Sequence, residues 1–206
     1  TPLANIKIYN DLLVRNDLSK EEAIDFHQML NKQINKLDFL MESLIKMSRL
    51  ETDIIQLNIE KNDLYFTLIE VINHVFLLAE KKHINIELSK NTHISALYDE
   101  KWTQEAIFNV LENCIKYSNK NTTITIQMSK NTFFSKIIIT DQGIGIKKEN
   151  YNNIFQRFYR AQEVQDEDGI GIGLYLTREI LSREEGYITV QSEYGKGSTF
   201  TIYLKR

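Results

Sequence analysis

An apolar seam in the first quarter of the chain most restricts what it can fold into. Apolar residues recur at Leu30, Ile34, Leu37, Met41 and Leu44, in alternating steps of four and three. That spacing belongs to the seam of a coiled coil or helical bundle. Phe39, Leu40, Ile45 and Met47 widen the stripe, so the helix is expected to meet more than one neighbour. Ser19-Lys20-Glu21-Glu22 opens it with capping-box spacing, Glu three residues after Ser. The segment before it offers partner positions at Leu3, Ile6, Asn10 and Leu13. A two-helix hairpin cannot bury such faces alone, and pairing two copies into four helices is the simplest solution. The alternative is that both helices cover the domain that follows.

After Arg49-Leu50-Glu51 the pattern changes, which places a domain boundary near residues 51–55. Ile55 to Ile59 alternates and predicts a strand. Asp63 can cap a helix carrying Leu64, Leu68, Ile69, Ile72, Val75 and Phe76. Short strands are expected at "INIEL" and "ISALY". Asp99 can cap a second helix running to about Tyr117. "TTITIQM" and "FFSKIIIT" read as a hairpin, residues 143–168 show little periodicity, and a helix is expected from Gly169 to about Arg183. "YITVQSE" and "STFTIYL" close the chain as strands. Hairpins mixed with three helices predict an α+β sandwich over residues 55–206, preceded by the helical hairpin of residues 1–51.

Composition narrows the function. The chain has 206 residues, and its net charge of −3 leaves no basic footprint for nucleic acid. Cys114 is its only cysteine, which excludes a disulfide framework and a cysteine zinc site. No apolar run reaches the length of a membrane span, so no membrane contact is expected here. There is one proline, and the glycines cluster after Asn131, so loop chemistry is local.

Three motifs could carry chemistry. In "ITDQGIGI", Asp141 ends a β-branched run, and Gly143 and Gly145 follow at alternate positions. A carboxylate before such a turn could accept a hydrogen bond from an exocyclic amine such as adenine's; a solvated turn Asp is the plainer alternative. In "DGIGIGLYLTREI", Gly169, Gly171 and Gly173 stand before a helix, where free N–H groups and the helix dipole favour an anion. No Gly-Lys-Ser/Thr follows, so this is not a Walker A loop. In "FNVLENCIKYSN", Asn109 and Asn113 share a helix face, with Lys116 three residues on. Two amides and a cation suit Mg²⁺ with phosphate, and the ring of Tyr117 could lie against a base. Polar outer positions on an ordinary helix would look the same. Cys114 reads as a small buried hydrophobe.

Taken together, "NVLENCIKYS", "DQGIGI", "IFQRFYR", "GIGIGL" and "GKGSTF" resemble, in order and spacing, the N, G1, F, G2 and G3 boxes of sensor histidine kinases in the GHKL ATPase superfamily. The resemblance covers nearly all of residues 55–206, and the hairpin resembles that family's dimerisation and histidine-phosphotransfer domain. It implies ATP and Mg²⁺ as cofactors, with Asn113 on the metal, Asn109 beside it as a catalytic group, Lys116 on phosphate and Tyr117 against the nucleotide. Asp141 would bind the adenine amine, with Gly143, Gly145 and Ile146 shaping the pocket and Thr199 near it. Phe155, Arg157, Phe158 and Arg160 would form the F box, the phenylalanines packing and an arginine approaching the phosphates. Gly169, Gly171, Gly173 and Leu174 would cradle the phosphates, and residues 143–168 would be the lid. Cys114 stands where alanine is usual, and "REEGYI" lacks the usual glycine pair.

The family's acceptor motif runs His-Glu-x-x-Thr-Pro, and Thr1-Pro2 matches its tail. The resemblance therefore places the acceptor His and its base upstream of Thr1. It gives Thr1 a role in orienting water during dephosphorylation of the regulator, against the simpler role of a helix cap. His27, His74, His83 and His93 read as solvated side chains. The implied function is the cytoplasmic catalytic portion of a membrane-anchored sensor kinase. Mg-ATP would phosphorylate a His, and the phosphoryl group would pass to an Asp on a response regulator receiver domain, in a homodimer joined through the helices. A non-catalytic dimerisation and regulator-binding scaffold, or another GHKL ATPase or anti-sigma kinase, are the competing classes.

Overall fold

The structure, a computed structural model, describes residues 2–14, 18–51, 56–89, 93–165 and 169–206. The chain divides into two compact units, residues 1–54 and 55–206.

The first unit is a helical hairpin of α1 (Pro2–Leu13) and α2 (Lys20–Glu51). The capping box forms as its spacing predicts: Ser19 N donates to Glu22 at 2.9 Å, and Glu22 N donates to Ser19 Oγ at 3.2 Å. The Ser19 backbone and, after it, the Ser19 side chain favour the charged Glu22 carboxylate and lower its pKa. Tyr9 stacks on Phe26 across the hairpin at 6.4 Å. The apolar seam is not uniformly covered. Leu30, Leu37 and Leu44 are half-buried, while Ile34 and Met41 are 45% and 54% exposed. Leu3 and Ile8 of α1 and Ile45 of α2 are exposed as well.

The second unit is α+β. Five strands form one sheet in the order β2-β4-β5-β7-β6: β2 (Asn85–Leu88), β4 (Thr123–Lys130), β5 (Phe134–Thr140), β6 (Tyr187–Glu193) and β7 (Gly197–Lys205). The β2–β4 pairing is parallel and the others antiparallel. Two short strands, β1 (Glu60–Asp63) and β3 (Ser95–Tyr98), form a separate antiparallel ladder. Strand alternation turns Ile124, Ile126, Ile137, Ile139, Phe200, Ile202 and Leu204 inward, all buried. Against them lie α3 (Leu64–Lys81), α4 (Glu100–Tyr117) and α5 (Gly173–Arg183). Asp63 caps α3 by accepting from Tyr65 N at 2.9 Å, and Asp99 caps α4 by accepting from Trp102 N at 3.1 Å.

Two expectations need correction. Residues 56–59 join no ladder and β1 begins at Glu60, because β3 supplies partners only for residues 60–63; Ile55 lies outside the described residues. The last helix starts at Gly173 rather than Gly169, since Gly169 and Gly171 have φ of +140° and +78°, which no α-helix accommodates. On α3 the face turned inward is Leu64, Leu68, Val71, Val75 and Ala79, and Phe76 points outward, 55% exposed.

Candidate functional site

The candidate residues of α4 occupy its C-terminal half, where the helix runs beneath the end of β5. Leu111, Cys114 and Ile115 fix that half in the core. Asn109 is also buried, and its Nδ2 has no hydrogen-bond partner among the described residues. A buried amide left open in this way is costly unless a ligand completes it. Asn109 abuts the start of α5: a Cβ on Gly173 would lie 3.2 Å from Asn109 Oδ1. One turn further on, Asn113 is half-buried. Lys116 Nζ lies 4.8 Å from the centre of the Tyr117 ring. The glycine-rich turn passes close by, since a Cβ on Gly169 would come within 2.6 Å of Lys116 Nζ. Sequence-distant candidates thus meet: Asn109 with Gly173, and Lys116 with Gly169.

Asp141 follows β5 and is buried. One carboxylate oxygen, Oδ1, accepts from Gly143 N at 2.8 Å and from Ser198 N at 3.1 Å. The Asp141 amide donates to Ser198 O at 2.9 Å, so the group is fixed from β7 as well. The Cys114 thiol of α4 faces the same carboxylate and favours its charged form. Burial raises the Asp141 pKa, and the Gly143, Ser198 and Cys114 bonds pull it partly back. Burial likewise pushes the Cys114 thiol well up, so it stays a neutral donor. Gly143 is required by closeness: a Cβ there would stand 2.5 Å from the Tyr117 carbonyl oxygen. That approach lets the turn after Asp141 dock on the end of α4, where Ser118 and Gly143 form an isolated bridge.

Residues 98–206 match the profile of the histidine kinase-, DNA gyrase B-, and HSP90-like ATPases. The chain belongs to this ATPase family. Among its relatives, histidine protein kinase SaeS of Staphylococcus epidermidis is 31% identical over 218 residues, covering 100% of this chain and 60% of SaeS. Sensor-like histidine kinase SenX3 of Mycobacterium tuberculosis is 26% identical over 206 residues, covering 99% of this chain and 50% of SenX3. The chain thus spans between half and three-fifths of these relatives. The fold matches the Acinetobacter baumannii histidine kinase AdeS, with a TM-score of 0.81 and 21% identity, covering 100% of this chain and 95% of that structure. It also matches full-length ShkA in complex with AMPPNP, with a TM-score of 0.73 and 21% identity, covering 99% of this chain and 46% of that structure. The solved structures share the fold, and the relatives alike in sequence are histidine kinases, in keeping with the five boxes.

Between Asp141 and α5 the chain makes a long excursion whose described residues include 3₁₀ turns at 148–150, 153–155 and 162–164. Ile146 N anchors it to Ser192 Oγ at 2.7 Å, and Tyr151 and Tyr159 hydroxyls bond to Ser192 and Asn150. Lys147 pairs with Glu163. The F-box residues separate. Phe155 is buried, but Phe158 is 53% exposed at φ +60°, so it does not pack as expected; its amide instead donates to Gly171 O at 2.9 Å. Arg157 donates to the Tyr175 hydroxyl at 2.6 Å and lies 4.6 Å above that ring, which ties it to α5. Arg160 donates to the Val164 carbonyl. Leu174 is half-buried in the first turn of α5.

The hydroxyl of Thr199 bonds to that of Thr140 at 3.0 Å, on the sheet face opposite Phe200. The β5–β7 register, with Thr140 opposite Thr199, brings the backbone of its neighbour Ser198 onto Asp141. Cys114 and Ser198 are thus the contacts that sequence reasoning missed. Thr1 lies outside the described residues, as do residues 166–168 of the expected lid.

Proposed function

We propose that residues 55–206 form the Mg-ATP-binding catalytic domain of a sensor histidine kinase. The observation that carries this is Asp141: a buried carboxylate with one oxygen held by two backbone N–H groups, at the end of a strand and beside a glycine turn. The adenine amine would donate to its remaining acceptor capacity, with Gly143, Gly145 and Ile146 as the pocket wall. Tyr117 would lie against the nucleotide and Lys116 would face its phosphates, together with the backbone of Gly169, Gly171, Gly173 and Leu174. Asn109, with its open Nδ2, suits a catalytic role at the same place. No group of three or more His, Cys, Asp or Glu side chains that could hold a metal occurs among the described residues. Mg²⁺ would therefore arrive with ATP, held by phosphate oxygens and Asn113, as befits an ion that is reluctant to dehydrate. Residues 143–168 would serve as the lid.

In the parent protein the γ-phosphoryl would pass to a His nitrogen, releasing ADP, and then to an Asp of a receiver domain. Positioning and charge neutralisation would carry that chemistry. Of this chain's four histidines, His27 is engaged with the Ala23 carbonyl at 2.7 Å and the other three lie in the ATP-binding unit, so we assign the acceptor to none of them. The chain by itself should bind ATP without labelling itself. Thr1 would act in the phosphatase reaction. No helix among the described residues is long and apolar enough to cross a membrane. We place the domain in the cytoplasm, with the parent anchored in the cell membrane. The exposed line of Ile34, Met41 and Ile45 supports a homodimer through the helices. Sedimentation should give a dimer, and Ile34→Glu with Met41→Glu should give a monomer; an unchanged dimer would remove the seam from the interface.

Calorimetric titration tests the nucleotide reading. Mg-ATP should bind and Mg-GTP should bind far more weakly, because guanine turns a carbonyl toward Asp141 where adenine offers an amine. Equal affinity for both would overturn the adenine assignment. A dimer without affinity for either would favour the scaffold.

A further inference from the structure

The C-terminal end of an α-helix leaves carbonyls without intrahelical partners. In α4 every carbonyl from Cys114 to Ser118 is nevertheless engaged. Cys114 O accepts from Ser118 N at 3.1 Å, and Tyr117 O accepts from Ile144 N at 3.2 Å. The remaining three converge on one side chain from a different helix. Lys82 Nζ donates to Ile115 O at 3.2 Å, to Lys116 O, and to Ser118 O at 3.3 Å. Lys82 is itself the C-cap residue of α3, and its own carbonyl accepts from Asn121 N at 3.2 Å. An ammonium has three donors and no acceptor, so three carbonyls satisfy it fully. It also places a positive charge at the negative end of the α4 dipole.

The residues whose carbonyls Lys82 holds belong to the last turn of α4 and its cap. That turn also carries the Lys116 and Tyr117 side chains, and its Tyr117 carbonyl supports the turn after Asp141. We propose that Lys82 is a positioning residue for the nucleotide site: it fixes the last turn of α4 against the Asp141 turn without touching the ligand. This rests on the reading that ATP binds there. Lys82 spends its donors on protein carbonyls.

The test uses the full chain with Lys82→Met, Lys82→Arg and, as a stability control on the inward face of α3, Val75→Ala. Mg-ATP affinity is measured by calorimetry and the unfolding midpoint by thermal melting. Lys82→Met should lose about tenfold in affinity, and Lys82→Arg, which keeps charge and donors, should recover most of it. Val75→Ala should lower the melting midpoint with affinity unchanged. Wild-type affinity in Lys82→Met, or equal loss in Val75→Ala, overturns the proposal. Should Lys82→Met not fold, Lys82→Gln takes its place. If the wild type binds no ATP, the reading of the site fails instead. Amide exchange at Gly143 and Ile144 then still reads the tether, and Lys82→Met should speed it about tenfold; unaltered exchange refutes it.

Discussion

The two ends of α4 are closed by opposite chemistry. At the C-terminal end the Lys82 side chain holds the carbonyls. At the N-terminal end two acids meet. Asp99 accepts from Trp102 N at 3.1 Å and from Asn58 N at 2.8 Å, while its own amide donates to Glu184 at 3.2 Å. Thr103 Oγ lies 2.8 Å and 3.0 Å from the two Glu184 carboxyl oxygens. Glu184 is only 3% exposed; burial raises its pKa to about 8, the Thr103 and Asp99 hydrogen bonds oppose that shift, and the Asp99 charge adds to it. One end is therefore sealed by a lysine side chain on three carbonyls and the other by a buried carboxyl that can lose its proton. Raising the pH through the range where Glu184 titrates should act on the N-terminal end of α4.

The largest expected effect that would break this contrast is at Glu184. Its folded pKa of about 8 exceeds the ordinary value of 4.5, so the folded chain holds the proton more tightly than the unfolded one. Its contribution to stability is therefore full below about pH 4.5, declines as pH rises, and is gone above about pH 8, a span on the order of a few kcal/mol. Thermal melts from pH 5 to 9 should show that decline in the wild type and lose this component in Glu184→Gln. Parallel curves for the two proteins would show that the carboxyl does not hold its proton. A smaller change is expected from Asp99→Ala, which removes the cap and the partner of Asn58. It should cost about 1 kcal/mol of stability by denaturant titration while leaving ATP affinity in place. Smallest of all, ATP affinity in Glu184→Gln should stay at the wild-type level by calorimetry; a large loss would mean that the two ends communicate.

Local chemistry was legible in the sequence wherever it decided the outcome. Asp63 and Asp99 cap their helices because a carboxylate before an apolar helical stripe has few better uses. The alternation in "FFSKIIIT" and "STFTIYL" gave paired strands, and the capping box at Ser19 formed. What tertiary structure decides was not legible. The register of β3 displaced β1, and positive φ in the glycine turn delayed α5. Glu185 adopts φ +56° in "REEGYI", where the related pattern has glycine, and the same segment buries Glu184 against a helix far away in sequence. Lys82 carries no motif; its role exists only because α3 ends beside the end of α4.

The most direct measurement is a calorimetric titration of Mg-ATP into wild type and Asp141→Asn. Two backbone N–H groups demand an oxygen at Oδ1, so an asparagine would place its carbonyl there and turn its NH₂ toward the adenine amine, donor against donor. The fold should survive, since the change removes a buried charge, and affinity should fall by about a hundredfold or more. Wild-type affinity in a folded Asp141→Asn protein would contradict the placement of adenine at Asp141.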